Sequence, residues 1–349
     1  MTANLPAITG IGSVTPYGPL AGLIPARSLQ PSAITTWATA GQRRAFLVEP
    51  FRPASVVPGL KTRRLDRLSA WALVASSLAI QDAEIDFSKV DRSRVAVVFA
   101  TGFGCVELTE SFYQSAAVNG WSGTDPITFP ETLANAPAAH VALLHGLRGP
   151  NITVDSKSFA GESALIQAAS LIRHGQADLA IVLAGDTLTQ AVYGWYEAAN
   201  LLSPTCYNSE PLPEAAGFVP SEGIIALVLE PAGSSEGRSY ASLLASCWAA
   251  GGEPFNTIRR MLGGSVPSLT ISAGNGAPCA TSPLTSLARE IAGPDAPIVP
   301  PQAVAAGLAE TGALLHLILT LSSRPRSGQA LLLATSGESG FAAIHLELP

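Results

Sequence analysis

Ser158 is the residue of this sequence whose setting comes closest to that of a nucleophile. It lies in the turn S-K-S-F-A-G (residues 156–161), between a β-branched stretch and an apolar-periodic one. A serine at a strand-to-helix elbow has free N–H groups and the positive end of a helix beside it, which stabilise developing negative charge. Serine is equally a common helix N-cap. The local K-S-F-A-G is not G-x-S-x-G. Lys157 is the nearest candidate base, but adjacent residues at an elbow point apart. The residues therefore favour a capping role for Ser158, with serine-based acyl transfer or ester hydrolysis as the enzymatic alternative.

The elements that hold this turn are legible on either side of it. Ile152 and Val154 supply strand residues, and residues 163–173 carry Leu165, Ile166, Ala169, Leu171 and Ile172 at helical spacing. D-L-A-I-V-L-A-G (residues 178–185) is a short apolar run closed by glycine, a buried strand. Alternation of strands and helices along the whole chain predicts a layered α/β fold. The glycine pairs Gly10/Gly12 and Gly102/Gly104 lack the full dinucleotide fingerprint and read as tight strand-end turns.

Residues 149–186 resemble the nucleophile elbow of the β-ketoacyl synthases, condensing enzymes of the thiolase superfamily, with Ser158 where that family carries cysteine. The resemblance extends along the chain. I-T-G-I-G-S-V-T-P-Y-G (residues 8–18) is similar to the family's opening strand, residues 66–83 to its first long helix, and G-F-V-P-S-E-G (residues 217–223) to its G-F-V-x-x-E/D-G strand. The first catalytic histidine falls on Gly274 in I-S-A-G-N-G-A-P-C. In P-Q-A-V-A-A-G-L-A-E-T-G-A the lysine position is Pro301 and the second histidine position is Ala306. G-E-S-G-F-A (residues 337–342) replaces the glycine-rich gate loop, with Glu338 in it, and Glu310 sits near the last long helix.

Decarboxylative Claisen condensation needs a thiolate to carry the acyl chain and two imidazoles to polarise carbonyls and stabilise an enolate. Glycine and alanine do neither. The five histidines, His140, His145, His174, His316 and His345, all fall outside the matched positions. The resemblance therefore implies a subunit that is not an enzyme by itself: a chain length factor of a type II polyketide system. It would form a heterodimer with an active ketosynthase and shape the acyl tunnel that sets chain length on an acyl carrier protein, in the highly reducing systems that build polyenes. A homodimeric scaffold without a ketosynthase is the binding-only alternative.

The same resemblance implies a duplicated five-layer αβαβα thiolase-like fold in two halves, residues 1–232 and 233–349, forming one compact unit. It places a pocket-lining helix over residues 125–150, with Pro130 in its first turn. Thr128, Phe129, Thr132, Leu133 and Ala136 are then expected to set tunnel depth, the last four sharing one face. Ile152, Thr153 and Val154 are expected to pair with their counterparts across the dimer axis.

Composition fits this frame. Hydrophobic residues make up 47% of the 349 and charged ones 13%, which favours extensive buried surface, in a subunit interface or simply in a large α/β core, between which composition does not decide. A formal net charge of −6 without a basic stripe argues against nucleic acid. The densest basic cluster, Lys61, Arg63, Arg64 and Arg67, reads as a solvated helix start. Cys105, Cys206, Cys247 and Cys279 show no metal-ligand spacing, and buried thiols in a reducing cytoplasm are expected. No cofactor or metal is implied, no cationic leader precedes an apolar core, and the apolar runs are too short for a membrane span.

Overall fold

The computed structural model describes residues 5–25, 27–37, 43–156, 159–206, 217–234, 239–250, 254–273, 278–300, 302–308, 311–323, 327–335 and 340–349. Its ten principal strands are β1 (Pro6–Thr15), β2 (Val95–Thr101), β3 (Asn151–Asp155), β4 (Leu179–Asp186), β5 (Gly223–Pro231), β6 (Ala241–Ala250), β7 (Leu269–Ser272), β8 (Ile298–Val299), β9 (Gly328–Thr335) and β10 (Gly340–Leu348). They join in the order β8-β7-β9-β10-β6-β1-β5-β4-β2-β3, and the short strand Gly18–Ala21 folds back on β1. The first five strands run 1-5-4-2-3, and the second five repeat that order. In each set the parallel pairs involve the second strand and the antiparallel pairs the fifth. Among the described residues the two sets pair where Ala7 and Ile8 of β1 face Ser242 and Ala241 of β6.

Eight helices complete the frame: α1 (Arg67–Asp82), α2 (Val106–Asn119), α3 (Ala136–His145), α4 (Ala160–Arg173), α5 (Gln190–Ala198), α6 (Pro254–Leu262), α7 (Pro278–Ala292) and α8 (Gly312–Ser323). Helices α4 and α8 lie between the two strand sets and share one core with both. Helices α1 and α3 cover the outer face of the first set, α6 and α7 that of the second, each over its own core. The layering is thus helix, sheet, helix, sheet, helix. With both faces covered, β1, β2 and β4 are buried along their whole length, which explains their continuous rather than alternating apolar runs.

Local chemistry sets the boundaries. Asp66 caps α1, its side chain accepting from the Leu68 N–H at 2.8 Å. Gly10 and Gly12 are not strand-end turns: both lie inside β1, where α1 crosses it. A Cβ on Gly12 would stand 2.1 Å from the Ala75 carbonyl oxygen, and one on Gly10 2.4 Å from that of Ala79. The pair is a helix-on-strand contact that no side chain fits. Gly104, at φ +65 after β2, is a true strand-end turn.

The helix expected from Pro130 is also corrected. Phe129–Thr132 is a single 3-10 turn with the proline in its opening positions, Leu133 is extended at ψ 140, and α3 begins only at Ala136. Pro137 accounts for the late start: it can open a helix but has no N–H to continue one from the preceding turn.

Candidate functional site

The elbow is built where β2, β3 and β4 end together. Strand β3 stops at Asp155, and the Ser156 N–H donates to the Thr101 carbonyl at 3.2 Å. Lys157 and Ser158 lie outside the described residues, as do Gly274, Pro301, Glu310 and Glu338. Phe159 follows in the left-handed region, at φ 36 and ψ 42, and α4 starts at once. A non-glycine residue held there is strained, which is common where a turn carries function.

Asp186, at the end of β4, fastens the loop that follows β2, beside this turn. It accepts from Thr101 Oγ1 at 2.6 Å, from the Gly102 and Phe103 N–H groups at 3.0 and 2.9 Å, and from Thr311 Oγ1 at 3.3 Å. Burial pushes its carboxyl up to about 6 against the pull of these four donors. Because Thr311 precedes α8, the carboxylate ties the loop after β2 to the second half of the fold. Gly161 lies against the same segment, a Cβ there standing 3.3 Å from the Thr311 carbonyl oxygen.

Of the positions that the resemblance matches to catalytic residues, Ala306 is described. It is a buried methyl in the short helix Ala303–Ala306. Gly307 follows, so close to the chain at Val219 that a Cβ would meet its carbonyl oxygen at 2.2 Å. The histidines are engaged in local structure elsewhere. His140 pairs with Glu131 at 2.7 Å, His145 contacts Ser76 Oγ at 3.3 Å, His316 contacts the Val299 carbonyl at 3.2 Å and His345 contacts Gln329 at 3.1 Å. His174 bonds back to Ser170 within its own helix end. Burial holds both His145 and His316 near 4, neutral imidazoles rather than acids. Cys105 is pushed up to about 12, and Cys206 and Cys247 to about 11, all chiefly by burial. None of these three is poised as a thiolate. Among the described residues no cluster of histidine, cysteine and carboxylates could hold a metal ion, and no helix is long and apolar enough to cross a membrane.

An aromatic group that the sequence reading missed stands beside the elbow. Phe103, whose N–H is held by Asp186, meets Trp195 and Tyr196 of α5 edge-on at 6.1 and 5.8 Å, and Tyr196 meets Phe218 at 4.9 Å. Tyr196 is buried, whereas Trp195 is 50% exposed. The clue in the sequence was the G-W-Y run, which no periodicity argument ranks above ordinary core.

The proposed tunnel residues gather in part. Thr128, Phe129 and Thr132 share the 3-10 turn, with Thr132 Oγ1 donating to the Phe129 carbonyl at 2.7 Å. Leu133 is exposed on the link to α3, and Ala136 is buried at its start. The single helical face expected for these residues is therefore not formed.

Around this turn the surface is apolar. Helix α2 buries none of its residues. Phe112 stacks near Tyr113 and Phe129, both at 5.8 Å, and Tyr113 near Trp121 at 6.2 Å. Trp121, Ile127 and Tyr113 are 69%, 62% and 57% exposed. In the sheet, β3 is the last strand, and one of its edges pairs with no strand among the described residues. Ile152 and Val154 are half-buried on it, and Thr153 Oγ1 is buried without a hydrogen-bond partner.

On the same half, Arg67 bridges Glu222 and Glu107 at 3.1 and 2.9 Å and caps a cavity of about 660 Å³ lined also by Trp37, Glu49 and Glu110. Lys61, Arg63 and Arg64 are solvent-exposed, as read from the sequence.

A doubly repeated five-strand order with two helices sandwiched at the centre and an elbow at their N-terminal end defines a thiolase-like ketosynthase fold. The family model described as "Beta-ketoacyl synthase, N-terminal domain" matches residues 23–234, well over half of the chain, and the chain belongs to that family. Among relatives, the 3-oxoacyl-(acyl-carrier-protein) synthase 2 of Vibrio cholerae is 27% identical over 248 residues, 66% of this chain and 58% of that one. Nodulation protein E of Rhizobium leguminosarum bv. trifolii is 30% identical over 180 residues, 51% of this chain and 44% of that one. The match thus spans less than two thirds of these relatives' length. Among solved structures, the ishigamide ketosynthase/chain length factor superposes with a TM-score of 0.74 at 22% identity, covering 99% of each chain. AntDE:AntF, a type II polyketide acyl carrier protein in complex with its ketosynthase, gives 0.76 at 18% identity, covering 99% of this chain and 100% of that one.

Proposed function

We propose that this chain is a chain length factor: a non-catalytic ketosynthase-like subunit that pairs with an active ketosynthase and walls the tunnel in which an acyl chain grows on a carrier protein. The observation that carries the reading is the combination of an intact ketosynthase frame with the chemistry removed from it. Asp186 still ties the loop after β2 to the segment before α8, yet the sequence puts serine, glycine, proline and alanine at the four positions matched to catalytic residues, and the described thiols and imidazoles are buried or engaged elsewhere. The free β3 edge and the apolar face around α2 each give such a subunit something to pair with, and the fold is shared with a ketosynthase/chain length factor. The polyene-type product belongs to the same reading.

The test is co-expression with the ketosynthase encoded nearest to it, followed by size-exclusion chromatography and elongation of a malonyl carrier protein. We expect a 1:1 complex that elongates only when both chains are present, and Ser158→Ala within it to retain nearly full activity. A stable homodimer that ignores the ketosynthase supports the scaffold alternative. Loss of elongation by Ser158→Ala in an intact complex supports serine chemistry.

Tunnel depth is tested separately. Ala136 is a poor site for enlargement because it is buried, and overpacking there costs about 1–3 kcal/mol. Leu133 is 43% exposed, so Leu133→Trp leaves the fold untouched. In the complex it is expected to shorten the products, read by mass spectrometry of the released chains. An unchanged product distribution removes Leu133 from the tunnel wall.

A further inference from the structure

A second cavity, of about 350 Å³, lies between the end of β1 and the short helix Ala303–Ala306. Tyr17, Arg27, Ser28 and Gln302 supply its polar lining and Leu29 and Val304 its apolar wall. Gln302 directly follows Pro301, the position that the resemblance gives to a lysine.

The donors and acceptors are unevenly divided. No carboxylate lines the cavity. Tyr17 is 6% exposed, and its hydroxyl lies 3.1 Å from the Arg27 carbonyl and 3.4 Å from Gln302 Oε1. The single phenolic proton goes to the nearer acceptor, the Arg27 carbonyl, and Gln302 lies beside that hydroxyl with an amide that carries two N–H donors. The Arg27 guanidinium stands over the Tyr17 ring, 5.8 Å from its centroid, and is exposed, with no ion pair to a carboxylate among the described residues. An arginine fork, an amide N–H₂ and a serine hydroxyl thus open onto one concave space of ligand size with a short apolar wall.

We propose that this cavity is a binding site for a small oxyanion, a carboxylate or phosphate group, with Arg27 as its principal ligand and Gln302 and Ser28 as supporting donors. The apolar wall of Leu29 and Val304 suits an anion carried on a short aliphatic stem. Such a site returns a cation to the neighbourhood from which the family's lysine is missing. It requires no ketosynthase partner, so its failure is distinct from failure of the chain-length-factor reading.

The experiment is isothermal titration of the purified full chain with malonate, inorganic phosphate and malonamide, a neutral counterpart of malonate. Saturable binding of malonate or phosphate, but not of malonamide, is expected. Arg27→Gln, a surface change that leaves the fold intact, is expected to weaken it about tenfold or more, the loss typical of a charge-assisted contact. Gln302→Ala is expected to weaken it a few-fold. Tighter binding of malonate assigns the site to a carboxylated acyl unit, and tighter binding of phosphate to a phosphorylated carrier or cofactor. Failure of both anions to saturate, equal binding of malonamide, or wild-type affinity in Arg27→Gln overturns the proposal.

Discussion

Replacing Glu162 by glutamine is expected to raise the stability of this protein at alkaline pH and to remove most of its decline between pH 5 and pH 8. Glu162 sits in the first turn of α4, 2% exposed, with Oε2 lacking any hydrogen-bond partner. Burial pushes its carboxyl up to about 8 from the ordinary 4.5, and only a bond from its own backbone N–H opposes this. Between those two values the unfolded chain has lost the proton while the folded chain keeps it. Folding therefore takes up a proton, and stability falls as pH rises through that window, levelling off above about 8; below about 4.5 the contribution is fully present. Integrated over the window the decline is at most about 4–5 kcal/mol. Glutamine keeps the shape but cannot ionise. Its own unsatisfied amide costs roughly 1–3 kcal/mol at every pH. The variant should match or fall below the parent near pH 5 and exceed it by about 2–3 kcal/mol at pH 8.5. Urea denaturation of both proteins at the two pH values reads this directly. A difference that does not change with pH would mean that the carboxyl is hydrated and the argument fails.

How much of this was legible in the sequence depends on range. The elements on either side of the elbow, β3, α4 and β4, were readable because each is a local pattern of β-branched runs and helical spacing, whereas α1 and β5 were read from the resemblance, and the Asp66 cap was not read at all. Gly10 and Gly12 were misread because their cause is not local. The residues that exclude a side chain there, Ala75 and Ala79, lie more than sixty positions away, and only the packing of α1 on β1 brings them close. The break between Phe129–Thr132 and α3 was signalled by Pro137, but the aligned family helix outweighed it. The Phe103, Trp195 and Tyr196 group escaped notice for a similar reason: its members come from the turn after β2 and from α5, far apart in the sequence and brought together only by the fold. Asp186 itself looked like the close of an apolar strand, and nothing in L-A-G-D-T announces that it will accept from both halves of the fold.

The other large effect concerns the apolar face. Trp121→Glu combined with Phe129→Glu is expected to abolish association with the ketosynthase while leaving this chain folded. Both side chains are at least half exposed, at 69% and 50%. Neither belongs to any of the three buried cores, so little intramolecular packing is lost. Exposed patches of large apolar residues on a soluble fold mark interaction surfaces, and central aromatic side chains carry a disproportionate share of interface energy, about 2–4 kcal/mol each. Two carboxylates placed in a dry contact add desolvation to that loss. Together they should weaken the complex by more than about a hundredfold, since about 1.4 kcal/mol corresponds to a factor of ten. Val266→Glu is the matched control. It introduces one such charge at a 67% exposed apolar residue in the second half of the chain, between α6 and β7, and should leave association unchanged. Analytical ultracentrifugation of the double variant with the ketosynthase decides the matter. Dissociated but folded chains place the contact on this face. A complex as tight as the parent's would move it elsewhere and leave the α2 aromatics without a partner.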